Sequence, residues 1–210
     1  MRTTLFLLLF ALPTLANKPP TIVDRPLPLT VSSERQLDDD EQIDTVMLHF
    51  ASDVVANPAD PHSVERIAAI FEEYRVSAHY CIDRDGTIYR FVDESRAAWH
   101  AGRGEIEGQP RKTNRLNHYS IGIEMLAIGT QEEMSQWITP EIYATIDQDD
   151  IGFTDAQYAS LTRLLADIAH RNDGIELTRT HIIGHDAYTV TRPTPRTDPG
   201  SLFDWSKIGL

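Results

Sequence analysis

Cysteine is almost missing from this sequence: there is one, Cys81, in 210 residues. A lone thiol can form no intramolecular disulfide and cannot build a cysteine-rich metal knot, so neither device explains the fold. Set in the apolar run Tyr80-Cys81-Ile82, it reads as a small buried hydrophobe. Positive charge is also scarce, with Lys+Arg 19 against Asp+Glu 32 and a net charge of -13. Such a surface repels phosphate backbones and anionic headgroups, which excludes nucleic acid and an anionic membrane as natural partners. The apolar stretch from Leu5 to Leu15 is too short for a permanent membrane span, so no stable membrane insertion is expected.

What is there begins with that stretch. Arg2 precedes it and Thr14-Leu15-Ala16 closes it with small residues, the pattern of a secretory signal peptide cleaved after Ala16. The chain is therefore expected to be exported, to a periplasm or the medium. Residues 17–40, rich in proline, serine and charge and without a sustained period, read as a linker or an arm lying along the surface. Residues 41–210, in a chain that is 41% hydrophobic, suffice for one core and one domain.

Within that domain Ile43 to Phe50 is an apolar, β-prone run ending near His49. Asp60-Pro61 opens a predicted helix whose Val64, Ile67, Ala68, Phe71 and Tyr74 share one face. Ser77–Ile82 and Thr87–Val92 flank Asp83-Arg84-Asp85-Gly86 as a hairpin. Gly102 to Asn117 is a predicted loop, and Tyr119 to Leu126 a strand whose Gly122 lets something approach closely. Thr130 to Gly152, acidic and broken by Pro140, reads as an insertion with one short helix. Thr154-Asp155-Ala156-Gln157 is a capping box heading a helix that Asn172-Asp173-Gly174 stops, and Thr180 to Gly184 is a last strand delivering His185 to a loop. Strands and helices interleave, which predicts an α/β (mixed α+β) domain, one central mixed sheet flanked by helices.

Chemistry concentrates at three points: a strand ending in His49, a strand ending in His185, and Asp198 beyond a proline-rich loop. Imidazole nitrogen and carboxylate oxygen are both good zinc donors, and three protein ligands leave a fourth tetrahedral position for water. The residues lie far apart and no short motif such as H-E-x-x-H links them. Taken singly, His49 and His185 also read as hydrogen-bonded core histidines, and Asp198 before Pro-Gly as a turn former. Glu124 stands inside an apolar strand, where a carboxylate is costly unless it faces a cleft or a partner.

The blocks "VMLHF", "SAHYCIDRDGTIYRFV", "AAWHAG", "NHYSIGIEM", "HIIGHDA" and "RTDPG" occur in this order, and the chain from Ile43 to Trp205 thereby resembles the zinc-dependent N-acetylmuramoyl-L-alanine amidases of the amidase-2 type, the group that includes peptidoglycan recognition proteins. The resemblance implies a zinc ion in a surface groove held by His49, His185 and Asp198. It implies a carboxylate, Glu124, near the metal-bound water. The implied substrate is peptidoglycan or its muropeptide fragments, cut between N-acetylmuramic acid and L-alanine. Two positions depart from the family. Arg196 stands where many active members carry lysine, which fits electrostatic stabilisation of an oxyanion but not proton donation. Ala78 stands where some members use a tyrosine.

Three functions follow as alternatives: a zinc amidase, a non-catalytic peptidoglycan-recognition module, and a zinc peptidase acting on another amide. His100 and Trp99 in "WHAG" are candidate substrate contacts, Trp99 as a stacking face for a sugar or as core packing. His79 and His181 read as structural hydrogen-bonding residues, and His62, His118 and His170 as surface residues.

Overall fold

The computed structural model describes residues 19–210, so the signal peptide read into residues 1–16 lies outside the described residues. Among the described residues no helix is long and apolar enough to cross a membrane. The described residues form eight strands and six α-helices: β1 Ile22–Asp24, β2 Ser32–Glu34, β3 Thr45–Ala51, α1 Val64–Tyr74, β4 Tyr80–Ile82, β5 Ile88–Arg90, β6 Arg96–Ala98, α2 Leu116–Tyr119, β7 Ser120–Leu126, α3 Gln131–Met134, α4 Pro140–Tyr143, α5 Asp155–Arg171, β8 Ile182–Gly184 and α6 His185–Thr189. Six strands form one mixed sheet in the order β1-β5-β4-β7-β3-β8, and β2 pairs antiparallel with β6 as a separate ribbon.

Strands β4, β7, β3 and the edge strand β8 run parallel to one another. Parallel strands buried on both faces read as continuous apolar runs, which is why Val46–Leu48 and Ile121–Met125 carry so little polarity. Alternate residues point to opposite faces. Val46, Leu48, Ile121, Ile123 and Met125 pack under α5 through Leu161, Leu164, Leu165 and Ile168. Each such leucine contributes about 2 kcal/mol by burial. The other face is covered in two halves: α1 lies over Cys81 and Leu126, and α2 with α6 lies over Met47 and Ile183. Between those halves, on the same face, the polar residues of β3 and β7 are left to line a groove.

The helices begin where their caps are. Thr154 and Gln157 cap α5 reciprocally, and the Gln157 amide also donates to the carbonyls of Ile82 and Leu126 at the ends of β4 and β7. Ser63 caps α1, which therefore starts at Val64 rather than at Pro61, and Tyr74, expected on its core face, is 69% exposed. Segment 130–152 holds two short helices, α3 and α4, instead of one.

Residues 19–40 are more than a surface arm. They supply the edge strand β1 and the ribbon strand β2, and Leu27 and Val31 enter the core beside α1. Arg35 is threaded inward, donating to the carbonyls of Glu94, Asn117, His118 and Ser120 at 2.7 to 3.2 Å. Burial lowers its pKa to about 10, partly offset by Glu94.

Candidate metal centre

Register brings the site together. In the parallel β3–β7 pair His49 stands directly opposite Glu124, and Cys81 of β4 is the other neighbour of Glu124. Next to β3, the short strand β8 ends at Gly184, and His185 opens helix α6 rather than lying in a loop. The Asp186 N–H donates to the Asp198 carbonyl at 2.9 Å, which folds the proline-rich loop back so that Asp198 faces both histidines. One donor atom from each of His49, His185 and Asp198 lies within 4.8 Å of the others.

The hydrogen-bond partners decide which atoms face inward. The Ser120 hydroxyl donates to the Leu116 carbonyl at 2.6 Å, so its oxygen accepts from His100 Nε2 at 3.1 Å. His100 Nδ1 is then a lone pair, and it accepts the Nε2–H of His49 at 3.1 Å. His185 Nε2–H donates to the Ala101 carbonyl at 3.0 Å. Both histidines thus engage Nε2 away from the seat and turn Nδ1 toward Asp198 Oδ2, at 2.7 Å from His49 and 3.1 Å from His185.

Electrostatics point the same way. Burial pushes the His49 pKa down despite the neighbouring Asp198 carboxylate, so His49 stays neutral. Burial opposes ionisation of Asp198, but its contacts with His185 and His49 prevail and hold it well below the usual carboxylate range. Two imidazole Nδ1 atoms and a carboxylate, with side chains 3 to 14% exposed, converge on one point. Such a donor set fits a divalent cation with one coordination position left open.

Around this corner lies a groove of about 270 Å³ that also exposes Glu124, Arg196, Trp99, Met134 and Trp137. Glu124 Oε2 is buried without a hydrogen-bond partner. Burial first, and Asp198 second, raise its pKa well above normal, with Arg196 opposing. Arg196 is held by its own N–H, which donates to Thr189 Oγ1 at the end of α6.

His100 lines the groove with both ring nitrogens already engaged, by His49 and by Ser120. It fits because Gly122 is there, since a Cβ at that position would stand 2.5 Å from the imidazole Cγ. The close approach expected at Gly122 is thus to a side chain of the same protein. Trp99 is half-buried at the groove wall, its N–H fixed by Ser77 Oγ. His79 and His181 make internal bonds, to Gly122 and Arg96 and to the Asp44 carbonyl respectively. His62, expected at the surface, is instead packed against Asp150 with its side chain 6% exposed. Met134 and Trp137, in a segment without sequence periodicity, were not among the expected groove residues; an isolated tryptophan in an otherwise polar run is the one sign they leave.

The profile of the Amidase_2 family, described as N-acetylmuramoyl-L-alanine amidase, matches residues 39–201. The chain is 31% identical over 158 residues to the 1,6-anhydro-N-acetylmuramyl-L-alanine amidase AmpD of Haemophilus influenzae, covering 75% of this chain and 70% of that protein. It is 35% identical over 137 residues to AmpD of Escherichia coli, covering 64% of this chain and 57% of that protein. The match thus spans little more than half of some relatives. Among solved structures it is similar to a selenomethionine derivative of AmpD, with TM-score 0.61, 28% identity and coverage of 88% of this chain and 92% of the other. It is also similar to the amidase AmiD of E. coli in complex with anhydro-N-acetylmuramic acid-L-Ala-D-gamma-Glu-L-Lys, with TM-score 0.58, 25% identity and coverage of 83% and 59%.

Proposed function

Since the chain belongs to the Amidase_2 family of N-acetylmuramoyl-L-alanine amidases, we propose that it hydrolyses the amide between N-acetylmuramic acid and L-alanine in peptidoglycan or muropeptides, with zinc held by His49, His185 and Asp198. The observation that carries this reading is the inward convergence of the His49 and His185 Nδ1 atoms on the Asp198 carboxylate beside an unpartnered Glu124 oxygen. Zinc in that seat supplies Lewis-acid chemistry, polarising an amide carbonyl and acidifying water.

The side chains do the rest. Glu124 Oε2 has no competing partner, so it is free to take a proton from water and pass it to the leaving amine. Its raised proton affinity suits it to hold that proton between the two steps. Arg196 faces the same groove, where a guanidinium stabilises the developing oxyanion without exchanging protons. Acid catalysis then falls to Glu124. Trp99 and Trp137 offer apolar faces on which a sugar ring or stem peptide can lie. Export through the Leu5–Leu15 leader would bring the enzyme to its substrate.

The test is mass spectrometry of purified peptidoglycan and of soluble muropeptides incubated with the mature chain, with added zinc or with a chelator. Zinc-dependent release of stem peptides with a free L-alanine amino group is the expected result. Intact substrate with stoichiometric bound zinc would instead assign the chain as a recognition module, and equal cleavage of sugar-free peptides would make it a peptidase.

A further inference from the structure

Segment 130–152 is anchored to the metal-ligand loop through one side chain. Glu133 Oε2 accepts the Thr130 N–H at 2.7 Å, closing the capping box of α3, and Oε1 accepts the Ser201 N–H at 2.7 Å. Ser201 follows Asp198 by three residues. The carboxylate fits because two glycines admit it. A Cβ on Gly129 would stand 2.6 Å from Oε2, and one on Gly200 would stand 2.7 Å from Oε1. Gly200 has φ 77°, which side chains resist.

Helix α3 and the turn that follows it carry part of the groove. Met134, next in sequence, is buried with Val54, Ile128, Ile138 and Ile146, while Trp137 stands 40% exposed, and both line the groove beside Asp198. The ligand loop is therefore fastened on two sides. On one it is held by the Asp186 N–H to the Asp198 carbonyl, and on the other by Glu133. The Glu133 fastening is the one that also bears the tryptophan wall.

We infer that Glu133 is a positioning residue that keeps the Asp198 loop and the Trp137 wall as one unit, so that the metal seat and the substrate-facing surface hold a fixed spacing. The inference rests on reading His49, His185 and Asp198 as the metal seat. Only a carboxylate serves both amides, because glutamine would offer one oxygen and set its own N–H groups against a second donor.

The experiment compares the full chain with Glu133→Gln and Trp137→Ala, a groove-side position that does not threaten the core. Zinc affinity is measured by competition with a chromogenic chelator. KM and kcat are measured on anhydro-N-acetylmuramic acid-L-Ala-D-gamma-Glu-L-Lys, and Tm on the metal-free chain. Glu133→Gln is expected to weaken zinc binding roughly tenfold and to raise KM several-fold with a smaller change in kcat. Trp137→Ala is expected to raise KM with zinc affinity unchanged. The double variant is expected to show a KM below the product of the two single effects, because both act on one wall. A lowered Tm with wild-type zinc affinity and KM would reduce Glu133 to a helix cap and overturn the inference, and fully multiplicative KM effects would break its link to Trp137. If the unmutated chain binds no zinc, the metal reading falls first and the inference with it.

Discussion

His49 donates its Nε2–H to Nδ1 of His100 at 3.1 Å, and the direction of that bond is fixed two residues further away by the Ser120 hydroxyl, which gives its own proton to the Leu116 carbonyl. A backbone oxygen that can only accept thus decides which nitrogen of His49 faces the metal seat. Replacing His100 with phenylalanine keeps the ring but removes the acceptor. Zinc affinity is expected to fall by roughly 10–100-fold, read by chelator competition. Unchanged affinity would mean that His49 keeps its orientation without this chain of bonds.

Glu124→Gln separates chemistry from binding. The variant keeps the side-chain shape but cannot take a proton, so hydrolysis is expected to fall by about 10²–10⁴, while zinc and muropeptide still bind. Its effect on stability has a definite sign. The folded pKa of Glu124 lies above its unfolded value, so in the metal-free chain the ionised carboxylate opposes folding as pH rises through the folded value. The metal-free variant is therefore expected to match wild type in acid and exceed it near neutrality, measured by urea unfolding across pH. Full turnover by the variant would remove Glu124 from the reaction.

Arg196 carries the charge that lysine supplies in many relatives of the amidase-2 type. If that charge acts only on the oxyanion, Arg196→Ala lowers kcat by about 10²-fold, and Arg196→Lys restores it to within a few-fold over neutral pH. A lysine variant markedly faster than wild type would show that a donatable proton is missing from the native site. The comparison needs kcat, because binding of the stem peptide need not change.

What could be read from the sequence was whatever acts over short range. The Thr154–Gln157 capping box spans four residues and marks α5 where the structure starts it. The parallel strands announce themselves as apolar runs; His185 sits just beyond β8, whereas β3, expected to end at His49, runs on through Phe50 to Ala51. The pairing of His49 with Glu124 is a matter of register between residues 75 positions apart, and no local pattern encodes it. Residues 19–40 contribute through three-residue strands too short to show a period and through isolated contacts beside them, from Leu27, Val31 and Arg35. His100 shows the same limit from another side. Its neighbours Trp99 and Gly102 suggest a groove, whereas the partners that define its role, His49 and Ser120, are 51 and 20 residues away.

The arm leaves one consequence that pH can test. Gly122 N–H donates to His79 Nδ1 at 2.9 Å, so Nε2 carries the proton and donates to the Arg96 carbonyl at 3.0 Å. The Arg35 guanidinium lies 3.0 Å from that same Nε2, so a second proton on the ring would set two cations against each other in a buried site. Burial first and Arg35 second lower the His79 pKa to about 4. Between pH 6.5 and pH 4 the unfolded chain binds a proton at His79 that the folded chain refuses, so stability is full above 6.5 and declines as pH falls through this window, by about 3 kcal/mol at its lower end. His79→Gln can accept from Gly122 and donate to Arg96 without titrating. In urea unfolding of the metal-free proteins, wild type is expected to lose stability relative to the variant steadily from pH 6.5 to 4. Parallel curves would mean that His79 keeps an ordinary proton affinity and that Arg35 is not pressed against it.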